Sequence, residues 1–265
     1  MSGQRARRAR PARAPSQHFL RTRALAAELV ADAGIGPTDL VLDIGAGSGR
    51  LTAALAARAR RVLAIELDPR WAARLRGRWP NVEVVEADVL EVELPSEPFR
   101  VVANLPFDGT TEIMRMLLDD PRVPLVRADL VVEWEVARKR ACPWPSTVNG
   151  VLWSAWYTLS LLRRLPPSAF DPPPSVAAGV LAVDRRACPL VDDAGWRDYR
   201  RFVATGFRHG LGAVTPRRFL RQLRVLGAQP RDLDARQWAA LFALSERAGT
   251  GRWSGSRAAR REAGA

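Results

Sequence analysis

Short apolar runs alternate with amphipathic ones through the first half of the chain, and few architectures accept that pattern. Residues 40–44, 62–67, 82–85, 101–103 and 130–135 have the length and composition of buried strands. Residues 51–59, 72–79 and 111–118 carry helical spacing, and an earlier helix is expected where Leu25, Leu29, Val30 and Ala33 recur before Gly34 and Gly36. A strand buried on both faces needs helices above and below it. The pattern therefore predicts an α/β fold with a mostly parallel sheet. Residues 156–164 and 176–184 read as two further strands, joined through a loop with five prolines at 165–175. Beyond Arg186 the periodicity turns helical, at 196–207, 217–226 and 235–244.

Charge narrows the partners. Lys and Arg total 41 against 28 Asp and Glu, a net charge of +13 over 265 residues, and Lys139 is the single lysine. A surplus of this size points to a polyanion, with nucleic acid ahead of a membrane surface. Residues 1–15 hold Arg5, Arg7, Arg8, Arg10 and Arg13 with no acid, the composition of a disordered basic arm. The two cysteines, Cys142 and Cys188, have no metal-type spacing and cannot build a disulfide framework, so a reducing cytoplasm and no metal are expected. No stretch is apolar enough to span a bilayer, and Glu28 and Asp32 interrupt the apolar run that could pass for a signal peptide.

Asp43-Ile44-Gly45-Ala46-Gly47-Ser48-Gly49 lies between an expected strand and an expected helix. Glycines there let the backbone approach a ligand closely. A dinucleotide turn of G-x-G-x-x-G form would need glycine at position 50 or 52, where Arg50 and Thr52 stand. Glu66 ends the second strand, where a carboxylate can accept from both ribose hydroxyls. Asp88 follows the third, where one can accept from an adenine amino group. A single acid at a strand end is ordinarily a solvated cap. Three such features on successive strands all face the crevice where this sheet type binds ligands, which favours a nucleoside-bearing cofactor. Asp68 reads instead as a helix N-cap.

Asn104-Leu105-Pro106-Phe107 follows the fourth strand. The exocyclic amine of adenine is a poor nucleophile because its lone pair is delocalised into the ring. The Asn104 amide oxygen can accept one N6 hydrogen, and the Leu105 carbonyl, on backbone held extended by Pro106, can accept the other. That pairing favours a pyramidal nitrogen, and Phe107 offers a face on which an extruded base can stack. Read alone, the tetrapeptide could equally be a strand-ending turn with a buried phenylalanine.

Together these residues resemble the rRNA adenine N6-methyltransferase superfamily, which comprises the Erm resistance methyltransferases and the KsgA-type dimethyladenosine transferases. Gln17-His18-Phe19-Leu20 is similar to the leading Q-N-F-L block. The 43–49 turn with Leu51-Thr52 is similar to E-I-G-x-G-x-G-x-L-T. Phe170-Asp171-Pro172-Pro173-Pro174-Ser175-Val176 is similar to an F-x-P-x-P-x-V loop that helps enclose the target base. The resemblance implies a Rossmann-like S-adenosylmethionine-dependent methyltransferase fold with a small C-terminal helical domain. It divides the chain into an arm at 1–15, a catalytic domain at 16–186, a helical RNA-binding domain at 187–248 and a basic tail at 249–265. It also implies S-adenosylmethionine as cofactor, contacted by Gln17, His18, Leu20, Gly45, Gly47, Glu66, Asp88 and Asn104. The chemistry falls to Asn104, Leu105, Pro106 and Phe107, and Phe107 and Phe170 contact the substrate. Asp43 stands where the family usually has Glu, His18 where it has Asn, Leu105 where it has Ile and Phe107 where Tyr is more frequent. Imidazole offers a different donor geometry from an amide, so His18 is the departure that can retune the site.

Trp144, Trp153 and Trp156, with arginine-rich ends, resemble the Erm branch, and Arg208-His209-Gly210 after Phe207 departs from the KsgA-type tail. The implied substrate is one adenosine of 23S rRNA, the phenotype macrolide–lincosamide–streptogramin B resistance, and the enzyme a monomer. The competing readings are a KsgA-type 16S rRNA dimethyltransferase and a non-catalytic rRNA-binding assembly factor. A DNA adenine methyltransferase more often carries D/N-P-P-Y where Leu105 stands here.

Overall fold

A computed structural model describes residues 18–142 and 144–249. Its centre is a seven-stranded sheet in the order β4-β3-β2-β5-β6-β9-β7. The strands are β2 (Leu40–Ile44), β3 (Arg61–Glu66), β4 (Val82–Glu86), β5 (Phe99–Asn104), β6 (Leu125–Glu133), β7 (Tyr157–Leu165) and β9 (Ala178–Arg185). From β4 to β6 neighbours run parallel, while β9 pairs antiparallel with both β6 and β7. Two short strands, β1 (Phe19–Leu20) and β8 (Phe170–Asp171), pair separately, joining residues far apart in sequence.

The strands sort their side chains with a period of two. Leu40, Leu42, Ile44, Val101, Ala103, Leu130 and Val132 belong to one core cluster. Val41, Val102, Val131 and Val180 belong to the cluster on the opposite face. The second cluster is covered by α1 (Arg23–Asp32) and α2 (Arg50–Ala56), through Ala26, Leu29, Val30, Leu51 and Leu55. The first is covered by α4 (Thr110–Leu118) and α6 (Val148–Trp156), while α3 (Pro69–Leu75) packs at the β3–β4 edge. It continues without a break into α7 (Trp196–His209), α8 (Arg217–Gln222) and α9 (Ala235–Arg247), through Tyr199, Phe202, Leu220, Trp238 and Phe242.

The alternation of strand and helix predicted from sequence is present through α4. The differences follow. The strand expected at 130–135 runs from Leu125 to Glu133, and the chain then turns into α5 (Trp134–Arg140) where the β6–β9 ladder ends at Glu133 and Ala178. The tryptophan-rich stretch contains α6. Thr147 caps that helix by accepting from the Gly150 N–H, and Val151, Leu152, Trp153, Ala155 and Trp156 are all buried. A helix apolar on nearly every side shows no amphipathic stripe, which hides it from periodicity. The helix expected at 217–226 stops at Gln222, and Arg224 takes a left-handed φ of 57°. The basic arm at 1–15 and the tail from residue 250 lie outside the described residues.

Polar junctions tie the helical segment to the catalytic half: Arg185 of β9 donates to Asp193 at 2.9 Å, and a second centres on Asp119. Asp119, at the end of α4, accepts from Trp153 Nε1 at 2.8 Å and from Arg200 of α7 at 2.5 Å. Close packing does the rest: a Cβ on Gly206 of α7 would stand 2.6 Å from the Trp238 ring of α9. Gly206→Ala is expected to cost about 1–3 kcal/mol through overpacking and to lower Tm by roughly 3–10 °C. Calorimetric unfolding of the two proteins tests this.

Candidate active site

Strand order reverses at β2: β3 and β4 lie to one side, while β5 and β6 lie to the other. The loops leaving the carboxyl ends of β2 and β5 therefore diverge and open a crevice, the usual place for a ligand in such sheets. A cavity of about 470 Å³ occupies it. His18, Gly45, Gly47, Glu66, Asp88, Asn104, Leu105, Pro106 and Phe107, all named from sequence, line it.

Each wall is set by local chemistry. After β2 the chain turns through Gly45, Gly47 and Gly49, all at positive φ. A Cβ on Gly47 would stand 2.5 Å from the Phe19 ring, so only glycine admits β1 beside the turn. Glu66 is buried and accepts from the Gly47 N–H at 2.7 Å and the Asp68 N–H at 2.8 Å. These two bonds lock the carboxylate, and its remaining lone pairs can take a diol. Asp88 accepts from the Leu90 N–H, which fixes its carboxylate at the start of the next turn. Leu67 and Leu90 line the same end, although they are 63% and 48% exposed. Apolar side chains held open to solvent beside two carboxylates suit a flat ring whose edge is polar. Sequence reading missed Leu67, Leu90 and Phe19. The first two were legible as apolar residues directly after and two after the acids. Phe19 was not, because its role comes from contact with the glycine turn.

The opposite wall is the stretch from Asn104 to Gly109. The Leu105 N–H donates to the Val131 carbonyl at 3.0 Å and its side chain is 2% exposed, so the strand's pairing continues into the tetrapeptide. At the other end, Thr110 Oγ1 donates to the Pro106 carbonyl at 2.9 Å. Asn104 Nδ2 donates to the His18 carbonyl at 2.7 Å. A carbonyl only accepts, so this bond decides the amide's orientation. It leaves Oδ1 buried and without a hydrogen-bond partner. An unmet buried acceptor costs about 1–3 kcal/mol, a cost that a donor on a bound molecule removes. Phe107 is half-buried, 5.7 Å from the His18 ring.

The other residues named from sequence fall elsewhere. Gln17 lies outside the described residues. Leu20 is buried beside the cavity, not in it, and pairs with Phe170 across the β1–β8 ladder. Phe170 is wholly buried in the cluster under α1 and α2 and does not line the cavity. Asp68 is the exception: it caps α3, as expected, and also lines the cavity. Among the described residues, no group of three or more His, Cys, Asp or Glu could hold a metal ion.

Behind the glycine turn, Asp43 is buried and accepts from Thr52 Oγ1 at 2.6 Å, while its other oxygen has no partner. Burial, reinforced by the Glu66 charge and opposed by the Thr52 bond, pushes its carboxyl up to about 7. The folded protein thus holds a proton that the unfolded chain releases near pH 4. Stability contributed by this group falls as pH rises from about 4 to about 7 and is level above that. Asp43→Asn keeps an acceptor for Thr52 and removes the titration. Its Tm relative to the parent is expected to rise by several degrees between pH 5 and pH 8, and an unchanged difference would contradict the assignment.

A seven-stranded sheet covered by helices on both faces, with a crevice where strand order reverses and a buried amide acceptor in its wall, is the arrangement of a Rossmann-like methyltransferase. The family model for ribosomal RNA adenine dimethylase matches residues 12–210. The mycinamicin-resistance protein MyrB of Micromonospora griseorubida is 39% identical over 250 residues, covering 88% of this chain and 79% of that protein. A probable ribosomal RNA small subunit methyltransferase A of Pyrobaculum aerophilum is 38% identical over 194 residues, covering 71% and 80%. The crystal structure of the 23S rRNA methyltransferase ErmE superposes with a TM-score of 0.73 at 33% identity, covering 85% of this chain and 98% of that one. The chain belongs to the ribosomal RNA adenine dimethylase family, whose members are S-adenosylmethionine-dependent rRNA adenine N6-methyltransferases.

Proposed function

We propose that this chain methylates N6 of one adenosine in 23S rRNA and so confers macrolide–lincosamide–streptogramin B resistance. The observation that carries the chemistry is the Asn104 amide, whose nitrogen is committed to His18 and whose oxygen is a buried acceptor with no partner. That oxygen takes one N6 hydrogen, the Leu105 carbonyl takes the other, and Phe107 stacks on the base. S-adenosylmethionine, when bound, supplies an electrophilic methyl group on a sulfonium. Glu66 holds its ribose, Asp88 its adenine amine, Leu67 and Leu90 its ring faces, while Gly45 and Gly47 admit it close to the backbone. The five carboxylates that line the cavity, Glu66, Asp68, Asp88, Asp108 and Glu112, suit a cationic cofactor. Transfer then depends on alignment more than on a strong base.

RNA capture falls to the arginines. Arg208, Arg217, Arg218, Arg221 and Arg224 are exposed on and around α7 and α8, within the 187–248 segment read as RNA-binding. Phosphate contacts of this kind make affinity fall steeply with salt. An rRNA substrate supports a cytoplasmic location, and a monomer is the proposed acting form.

The 23S target is favoured over 16S because the 23S rRNA methyltransferase ErmE is 33% identical over 85% of the chain and the match to the resistance protein MyrB covers 88% of it, whereas that to the small-subunit enzyme covers 71%. Incubation with labelled S-adenosylmethionine and protein-free 23S or 16S rRNA, followed by mapping, tests the reading. Label is expected on one adenosine of 23S rRNA, reduced by about 10²–10³ in kcat by Asn104→Ala. Label confined to 16S rRNA would transfer the assignment to the small-subunit branch. Salt-sensitive RNA binding without transfer to either RNA would leave only a binding factor.

A further inference from the structure

The β1–β8 ladder pairs Leu20 with Phe170 and Phe19 with Asp171. The next rung would set His18 against Pro172, which has no N–H to give. The His18 side chain takes over there: its Nδ1 lies 2.8 Å from the Pro172 carbonyl oxygen. Since the carbonyl only accepts, Nδ1 carries the proton. The backbone carbonyl of the same residue accepts from Asn104 Nδ2 at 2.7 Å, and its ring lies 5.7 Å from that of Phe107, inclined at 41°. One residue therefore touches the proline loop, the amide that faces N6 and the ring on which the base stacks.

We propose that His18 is a positioning residue for methyl transfer, holding the 170–176 loop, Asn104 and Phe107 in one geometry through its Nδ1–H, its carbonyl and its ring. The proposal rests on the reading of the 104–107 stretch as the transfer site. His18 lines the cofactor cavity as well, and the proposal adds to that place a role in the step on the base. With the Nδ1 bond broken, Pro172 loses its tie to β1 beyond the Phe19–Asp171 rung, and the His18 carbonyl that orients the Asn104 amide is held less firmly. An error of about 1 Å there is enough to cost on the order of 100-fold in rate.

Three variants separate the contributions. His18→Ala removes ring and donor. His18→Asn places an amide nitrogen near the position of Nδ1 and removes the ring. His18→Gln places its amide nitrogen nearer the position of Nε2. Each is measured for kcat at saturating cofactor and RNA, for S-adenosylmethionine affinity by calorimetry without RNA, and for hydrogen exchange at the Phe170, Asp171, Ser175 and Val176 amides. His18→Ala and His18→Gln are expected to lower kcat about 10- to 100-fold, to change cofactor affinity less than about threefold and to speed exchange in the loop. His18→Asn is expected to restore slow exchange and to recover kcat only in part. A cofactor affinity that falls in step with turnover would make His18 a cofactor contact and overturn the proposal. Unchanged kcat and exchange in His18→Ala would overturn it as well. A parent enzyme that transfers no methyl to any RNA would instead sink the reading of the site on which it rests.

Discussion

β2 is the strand from which the sheet is laid out in both directions. Its left and right neighbours, β3 and β5, each pair with it in parallel, so the loops at its carboxyl end and at that of β5 must part. Every functional element depends on that parting. The glycine turn leaves β2 into one half of the opening, and the Asn104-Leu105-Pro106-Phe107 stretch leaves β5 into the other. Glu66 and Asp88, at the ends of β3 and β4, complete one side because parallel strands end level with one another.

Charge is distributed against the grain of the whole. A chain of net charge +13 lines its central cavity with carboxylates and leaves its arginines at the surface. Much of that positive charge is spent on internal ion pairs, such as Arg127 with Asp129 and Asp184, or on exposed ones such as Arg60 with Glu97. On the helical segment Arg217, Arg218, Arg221 and Arg224 stand exposed within a single turn-and-helix unit. The two fields suit different charges: a cation inside and a polyanion outside.

The helical segment is also continuous with the catalytic half in packing. Asp119 ends the helix that begins just after Phe107, and it is bonded at once to Trp153 and to Arg200. The site and the arginine-rich surface therefore stand on one hydrophobic cluster, not on two that meet at a linker.

Much of this was legible without coordinates, because backbone chemistry writes itself locally. A glycine triplet after an apolar strand, acids at the next two strand ends and an N-L-P-F stretch each announce a function through residue type and spacing, and the sheet supplies their common face. Elements whose identity depends on distant partners were not legible. The helix α6 is apolar on most sides, so no periodicity marks it. The two-residue strands β1 and β8 are too short for any pattern, and they exist because residues about 150 apart meet. Phe170, read as a base contact from its motif, is wholly buried because that pairing turns it into the core. The amino-acid sequence by itself determined the sheet, the crevice and the chemistry its lining can perform. Only the tertiary structure decided which way the Asn104 amide faces, that burial pushes the Asp43 carboxyl up to about 7, and that His18 bonds both Pro172 and Asn104. Each of these is a hydrogen bond or a burial created by chain segments that have no local reason to meet.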